Sequence, residues 1–192
     1  ICDDEHETTY RRNIHLFQHS VDDMSYAMAV TLAAGDSLSW FKQTVLPDTS
    51  FSNIVELASR STIGARGLVF TPYLSGERTP HGDASIRGSF IGLSHLHTSA
   101  DLARAVIEGI TYSLYDAVEY IRSLGKDVSH IVSIGGGAKS EFWLQLQADV
   151  FNTHVSKLKY EEGPSMGAAM IAAKGVGWFE SIESCVNTWI EY

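Results

Sequence analysis

A chain of 192 residues with 44% hydrophobic and 19% charged side chains can bury one core, which excludes a disordered chain and predicts a single domain. Its formal charge of −9, with 14 scattered basic residues against 23 acidic ones, excludes a nucleic-acid backbone as partner. No apolar run approaches the roughly 18 residues of a membrane span, so no membrane partner and a soluble, cytoplasmic protein are expected.

The chain opens at Ile1 with a polar, acidic stretch and no signal-like apolar region, and it reads as a piece of something longer. Cys2 and Cys185 lie near opposite ends without CxxC spacing, so both are expected to be reduced and to serve as small hydrophobic residues. Ile14, Leu16 and Gln18, then Met24, Tyr26, Met28, Val30 and Leu32, alternate as strands do and predict a hairpin turning at residues 20–23. From Gly35 the period shifts. Leu38, Phe41 and Val45 predict a short helix stopped by Pro47, and a second helical stretch covers residues 53–61.

Residues 64–67 break that pattern, residues 67–74 read as an apolar strand, and residues 75–83 hold too many breakers for regular structure, a loop of the kind usually found at the surface and often functional. After a short strand at 89–93, Leu102, Val106, Ile110, Leu114, Ala117, Val118 and Ile121 mark one face of a long helix. Residues 130–134 predict a buried strand running into Gly135, Gly136, Gly137 and Ala138. Phe142, Trp143, Leu146 and Val150 then place a helix after Ser140. A short strand at 155–158, a small-residue helix opened by Pro164, and a last helix at 182–189 complete the chain. Strands first, then strands alternating with helices, predict an α/β fold, a mixed sheet flanked by helices.

Three glycines between a strand and a helix let a ligand approach the backbone, and the first helical amides can meet phosphate or ribose oxygens. A plain tight connection is the alternative reading of the same residues. The pattern is neither GxGxxG nor GxxxxGK[ST], which argues against dinucleotide and P-loop sites. Gly167, Ala168 and Ala169 with Ala172 and Ala173 give a helix face suited to close packing, or, if the helix start faces the glycine turn, a second dipole end for an anion. Arg78 could grip a phosphate or carboxylate, although a structural salt bridge to Glu77 or Asp83 is the commoner role. His95 and His97 lack a third metal ligand. Asp22, Asp23, Asp36, Asp101 and Glu108 are conceivable general bases, with a solvated or capping role as the alternative for each; no nucleophile motif is present.

The run Gly88-Ser89-Phe90-Ile91-Gly92-Leu93, followed after seven residues by Asp101-Leu102-Ala103-Arg104-Ala105-Val106-Ile107-Glu108, resembles the C-terminal signature of the FGGY carbohydrate kinases. That family phosphorylates glycerol, gluconate and pentuloses. The resemblance implies an actin/hexokinase-like (ribonuclease H-like) fold, with residues 1–192 as the C-terminal nucleotide-binding domain of a two-domain kinase whose N-terminal sugar-binding domain is absent. Tyr73-Leu74-Ser75-Gly76-Glu77-Arg78-Thr79-Pro80-His81 is similar to the loop of the family's xylulokinases, whereas glycerol kinases carry a Trp-containing loop there. Transfer of the ATP γ-phosphate to D-xylulose is therefore implied. Another FGGY kinase (gluconate, ribulose or glycerol) and a non-catalytic nucleotide-binding module are the alternatives.

By motif, Gly136, Gly137 and Ser140 are similar to the family's nucleotide contacts, with Gly35 and Ser39 toward phosphates or ribose. Ser39 and Ser140 stand where glycerol kinases have an amide side chain, and Asp36 where a small residue is common, which implies weaker or water-mediated contacts. The family's catalytic Asp, its Gly-Thr-Ser phosphate hairpin and most sugar contacts lie outside the matched region. The resemblance thus implies no catalytic residue and no metal ligand in this chain, and no kinase activity of the chain alone. It implies ATP and Mg2+ as cofactors, a sugar held through the missing domain, and a homodimer as one assembly open to the full-length enzyme.

Overall fold

The computed structural model describes residues 14–21, 24–160 and 163–192; Cys2, Asp22 and Asp23 lie outside them. In chain order the described elements are β1 (Ile14–Gln18), β2 (Ser25–Ala29), α1 (Ala34–Val45), α2 (Phe51–Ser59), β3 (Val69–Thr71), β4 (Ser89–Ile91), α3 (Ser99–Ser123), β5 (His130–Ser133), α4 (Glu141–Phe151), β6 (His154–Lys157), α5 (Pro164–Gly175) and α6 (Ile182–Trp189). Short 3₁₀ turns occupy Ala65–Gly67 and Gly136–Lys139.

Both strand orientations are present, in three two-stranded ladders among the described residues. β1 pairs antiparallel with β2 with Leu16 opposite Ala27, β3 antiparallel with β4 with Phe70 opposite Phe90, and β5 parallel with β6 with Ile131 opposite Val155. The parallel pair is joined through α4, the crossover that parallel strands require. No helix among the described residues is long and apolar enough to cross a membrane.

Several helix ends follow local chemistry. Ser50 caps α2 by accepting from the Asn53 amide, Ser140 caps α4 by accepting from the Trp143 amide, and Pro164 opens α5, where its missing N–H costs nothing. In the first turn of α3 the Asp101 carboxylate accepts from both the amide and the hydroxyl of Thr98, the residue ahead of the helix, each at 2.8 Å. α1 ends as the Leu46 amide returns to the Lys42 carbonyl just before Pro47.

The core is built around α3. Val106, Ile107 and Ile110 pack with Phe41 of α1, Ile54 and Ala58 of α2, Leu68, Phe70 of β3, and Trp143 and Leu146 of α4. Elements press on this helix from so many sides that its polar residues Arg104, Glu108 and Thr111 are buried too. Gly109 permits the closest approach: a Cβ there would sit 2.1 Å from the Phe70 carbonyl oxygen. A satellite cluster joins Met170 and Ala173 of α5 to Ile182 and Cys185 of α6, with Val21 packed against it, so Cys185 acts as a small apolar residue.

Four expectations change. The strand expected at 67–74 shrinks to three residues because Pro72 has no amide to continue the ladder. The strand expected to be buried at 130–134 is half-exposed, since β5 pairs only with β6. The alternation in β2 is real, yet Tyr26 and Met28 are exposed because no described element covers either face. On α5 only Met170 and Ala173 are buried; Gly167, Ala168, Ala169 and Ala172 are exposed, and a Cβ on Gly167 would meet nothing within 4 Å. Close packing of that face is therefore not observed.

Candidate functional site

α3 holds α1, α2 and α4 around itself, and the space left between the outer faces of those three helices and the glycine turn is a cavity of about 710 Å³. α1 contributes Gly35, Leu38 and Ser39 to its wall. The turn and the start of α4 contribute Gly136, Gly137, Lys139, Ser140, Phe142 and Trp143. The five positions singled out in the sequence, Gly35, Ser39, Gly136, Gly137 and Ser140, thus share one cavity although about a hundred residues separate the two groups.

The turn owes its shape to Gly135, whose φ of 80° lies in the left-handed region and swings the chain from β5 into the 3₁₀ turn. A Cβ on Gly136 or Gly35 would meet nothing within 4 Å, so both leave open backbone at the wall. A Cβ on Gly137 would touch the Trp143 ring at 3.4 Å. The indole of Trp143 is itself fixed, donating from Nε1 to the buried Thr111 hydroxyl at 3.0 Å. Phe142 is held from behind by the guanidinium of Arg104, 4.9 Å from its ring centre.

The two serines are complementary. Ser140 Oγ accepts from the Trp143 amide, which leaves its hydroxyl proton to donate; Ser39 donates to the Gly35 carbonyl at 3.2 Å, which leaves its oxygen to accept. Phe51, Val55 and Leu38 add apolar surface, and Lys139 supplies a cation among the lining residues. Glu56 at the wall is paired with Arg60 at 2.6 Å, an exposed i,i+4 contact. Apolar walls with a few convergent polar groups are the usual character of a small-molecule site.

Sequence reading missed the α2 wall, made of Phe51, Ser52, Val55, Glu56 and Ser59. The signal was present: 51, 55 and 59 are spaced i, i+4, i+8, a second stripe beside the inward Ile54 and Ala58. α5 does not line the cavity, so its helix start offers no second dipole end there.

The other nominated residues lie elsewhere. Arg78 reaches His15 Nε2 at 3.3 Å, and among the described residues no ion pair joins it to Glu77 or Asp83. Asp83 instead accepts from the hydroxyl and amide of Ser85, which lower its pKa. His97 Nδ1 accepts from the Ser94 amide and Nε2 lies 3.4 Å from the Arg66 carbonyl, while His95 is exposed. Among the described residues no three His, Cys, Asp or Glu side chains converge as a metal site.

The carboxylates are structural where they are buried. The Ser61 hydroxyl, and then the Thr98 amide and hydroxyl, hold the Asp101 pKa down to about 2 against the opposing effect of burial. Such a group is a poor proton acceptor at neutral pH. Glu108 accepts from Arg104 Nε at 2.6 Å and from the Gly64 amide at 3.0 Å. Asp36 is exposed on the first turn of α1, next to Gly35. A separate group surrounds the 73–83 loop: Tyr73 Oη lies 3.1 Å from His81 Nε2, and burial raises the pKa of Asp116, with His81 opposing.

The signature that carried the resemblance divides: its α3 half, with Asp101 and Ala103 to Glu108, is buried, while Ser89, Ile91, Gly92 and Leu93 are exposed. Gly92 has φ of 87° and lies against the Gly67 carbonyl, and Asp101, Arg104 and Glu108 bind one another's surroundings rather than the cavity.

Comparison with known proteins agrees in kind. Residues 5–176 match the model of the FGGY family of carbohydrate kinases, C-terminal domain. A xylulose kinase of Staphylococcus epidermidis is 65% identical over 184 residues, covering 96% of this chain and 37% of its own length. The structure of ligand-bound xylulose kinase from Lactobacillus acidophilus aligns with a TM-score of 0.82 at 31% identity, over 93% of this chain and 36% of that one. A glycerol kinase of Plasmodium falciparum, solved with ADP, aligns at 0.74 and 27% identity, over 87% of this chain and 33% of its own. The chain therefore spans about a third of these relatives' length. With a fold and a signature shared along nearly all of its residues, the chain belongs to the FGGY family of carbohydrate kinases and matches that family's C-terminal domain.

Proposed function

We propose that the chain is the C-terminal nucleotide-binding domain, residues 1–192, of a two-domain kinase that transfers the ATP γ-phosphate to D-xylulose, giving D-xylulose 5-phosphate. The observation that carries the reading is the convergence of Gly35, Ser39, Gly136, Gly137 and Ser140 on one cavity, chosen by motif and far apart in sequence. A glycerol kinase of similar fold solved with ADP supports the nucleotide, and a relative of 65% identity named xylulose kinase supports the sugar.

The cavity suits a nucleoside. Phe51, Val55, Leu38 and Phe142 offer a base apolar surface, the serine hydroxyls offer one donor and one acceptor to a ribose, and the open backbone at Gly136 and Gly35 leaves room for polyanionic oxygens. Magnesium would reach this domain on the phosphates, keeping most of its water, in line with its reluctance to dehydrate. ATP supplies the phosphoryl group, whose transfer depends chiefly on positioning and charge neutralisation. The proton acceptor and most sugar contacts are assigned to the part of the enzyme outside this chain, as is any dimer contact, in the cytoplasm where ATP is available. The chain alone is expected to phosphorylate nothing.

The test is calorimetric titration with ADP and magnesium of the chain and of Gly136→Val. A Cβ at position 136 meets no protein atom within 4 Å, so valine fills the cavity rather than the core. Binding by the native chain, lost in a variant with an unchanged unfolding midpoint, is expected. Equal binding by both would remove the glycine turn from the site, and a folded native chain that takes up no ADP would defeat the reading.

A further inference from the structure

The 73–83 loop grips the segment that delivers α1 to the cavity. Glu77 is 3% exposed, and its Oε1 accepts from the Leu32 amide at 3.0 Å and from the Arg78 amide at 2.7 Å. Its Oε2 accepts from the hydroxyl of Ser113 on α3 at 3.2 Å. Two residues further, the buried Thr79 makes a reciprocal pair with Val30: its amide donates to the Val30 carbonyl and its Oγ1 accepts from the Val30 amide, each at 3.0 Å. The amides of Val30 and Leu32 are thus held by the side chains of Thr79 and Glu77, with one backbone bond from the Thr79 amide to the Val30 carbonyl. The hydroxyl of Ser37, in the first turn of α1, adds a tie to the Pro72 carbonyl at 3.2 Å.

α1 needs such ties because it lacks a local one. Its N-cap is Ala33, with no side-chain hydrogen bond to the first turn, where serine, threonine, aspartate or asparagine would normally fix the start. Glu77 meanwhile has no cationic partner among the described residues. A buried carboxylate without a counter-charge is costly unless its oxygens are fully used as acceptors, and here all the recorded donors fix backbone or α3. Two residues beyond Leu32, α1 begins, and its Gly35, Leu38 and Ser39 form one wall of the cavity.

We infer that Glu77 is a positioning residue for the cavity: with Thr79 it fixes the β2–α1 junction, and so sets where Gly35 and Ser39 stand relative to the glycine turn. The consequence for nucleotide rests on the function proposed above; the anchoring itself does not.

The test pairs a ligand-free readout with a ligand-bound one on the same 192-residue chain: amide hydrogen exchange followed by mass spectrometry, and titration with ADP and magnesium. In Glu77→Ala, exchange over residues 32–40 is expected to rise at least about tenfold while α2 and α4 keep their native rates, and ADP affinity falls by roughly tenfold. Glu77→Gln keeps Oε1 for Leu32 and Arg78 and can donate to Ser113, so it is expected to restore both readouts. If Glu77→Ala does not fold, Thr79→Val, which removes the acceptor for the Val30 amide, is expected to move both in the same direction. Native exchange at 32–40 in a folded Glu77→Ala or Thr79→Val, an increase spread evenly over the chain, unchanged ADP affinity, or a Gln variant as damaged as the Ala variant would each overturn the inference. A native chain that takes up no ADP would instead defeat the nucleotide reading, with the exchange data still deciding whether Glu77 anchors α1.

Discussion

Gly109→Ala sets two opposite expectations against each other. In an isolated helix the change stabilises, since alanine is favoured over glycine by about 1 kcal/mol. In this fold α3 crosses β3 so closely that the new Cβ would lie 2.1 Å from the Phe70 carbonyl oxygen and 3.0 Å from its carbonyl carbon. Carbon-to-oxygen contacts of this kind settle at roughly 3.3 Å, so helix and strand must part by about 1 Å. That separation loosens Val106, Ile110 and Phe70 together, because all three sit in one cluster. Overpacking costs about 1–3 kcal/mol, and a backbone contact has no rotamer by which to yield, so the upper end applies. Offset by the helix gain, the net loss is about 2 kcal/mol. Urea unfolding followed by tryptophan fluorescence reads it, with Gly167→Ala as the matched control: that glycine lies inside α5 with nothing within 4 Å, and its replacement should stabilise by about 0.5–1 kcal/mol. A Gly109→Ala chain as stable as the native one, or more so, would refute the close contact and with it the placement of α3 on β3.

The buried Arg104–Glu108 pair gives a second test: Glu108→Ala strands the guanidinium and leaves the Gly64 amide without its acceptor, an expected loss of about 3–5 kcal/mol in urea unfolding. Arg104→Met with Glu108→Leu removes both charges at similar volume but still strands the Gly64 amide, so it is expected to lose only about 1–3 kcal/mol, less than Glu108→Ala alone. Asp101 gives a pH test. Its folded pKa of about 2 lies below the ordinary aspartate value near 3.9, so its contribution is complete above about pH 4 and is lost as pH falls toward 2. Asp101→Asn should flatten the stability–pH curve in that window, and an unaltered slope would show that the Ser61 and Thr98 contacts do not hold the carboxylate.

Elements governed by neighbours in sequence were legible in the chain. The 3.6-residue spacing from Leu102 to Ile121 marks α3, Pro47 follows the end of α1, Ser140 caps α4, and Pro164 opens α5, because propensity, capping and proline geometry act within a turn or two. The glycines between β5 and α4 were legible for the same reason: a φ of 80° at Gly135 is a local demand. The five cavity positions could be named together in advance only because the family resemblance implied them as nucleotide contacts; spacing alone offered no more than the glycine turn.

What lies far apart in sequence required the assembled fold. Nothing local distinguishes the exposed small-residue face of α5 from a packed one, and nothing local marks Glu77 and Glu108 as buried carboxylates serving distant backbone amides rather than chemistry. The α2 wall of the cavity, the approach of Gly109 to Phe70 and the grip of Glu77 on Leu32 each depend on where α3 brings distant segments together. By itself the sequence determined the elements and the family; the tertiary structure decided which polar groups lost water and what replaced it, because desolvation depends on every neighbour a residue has and not on those beside it in the chain.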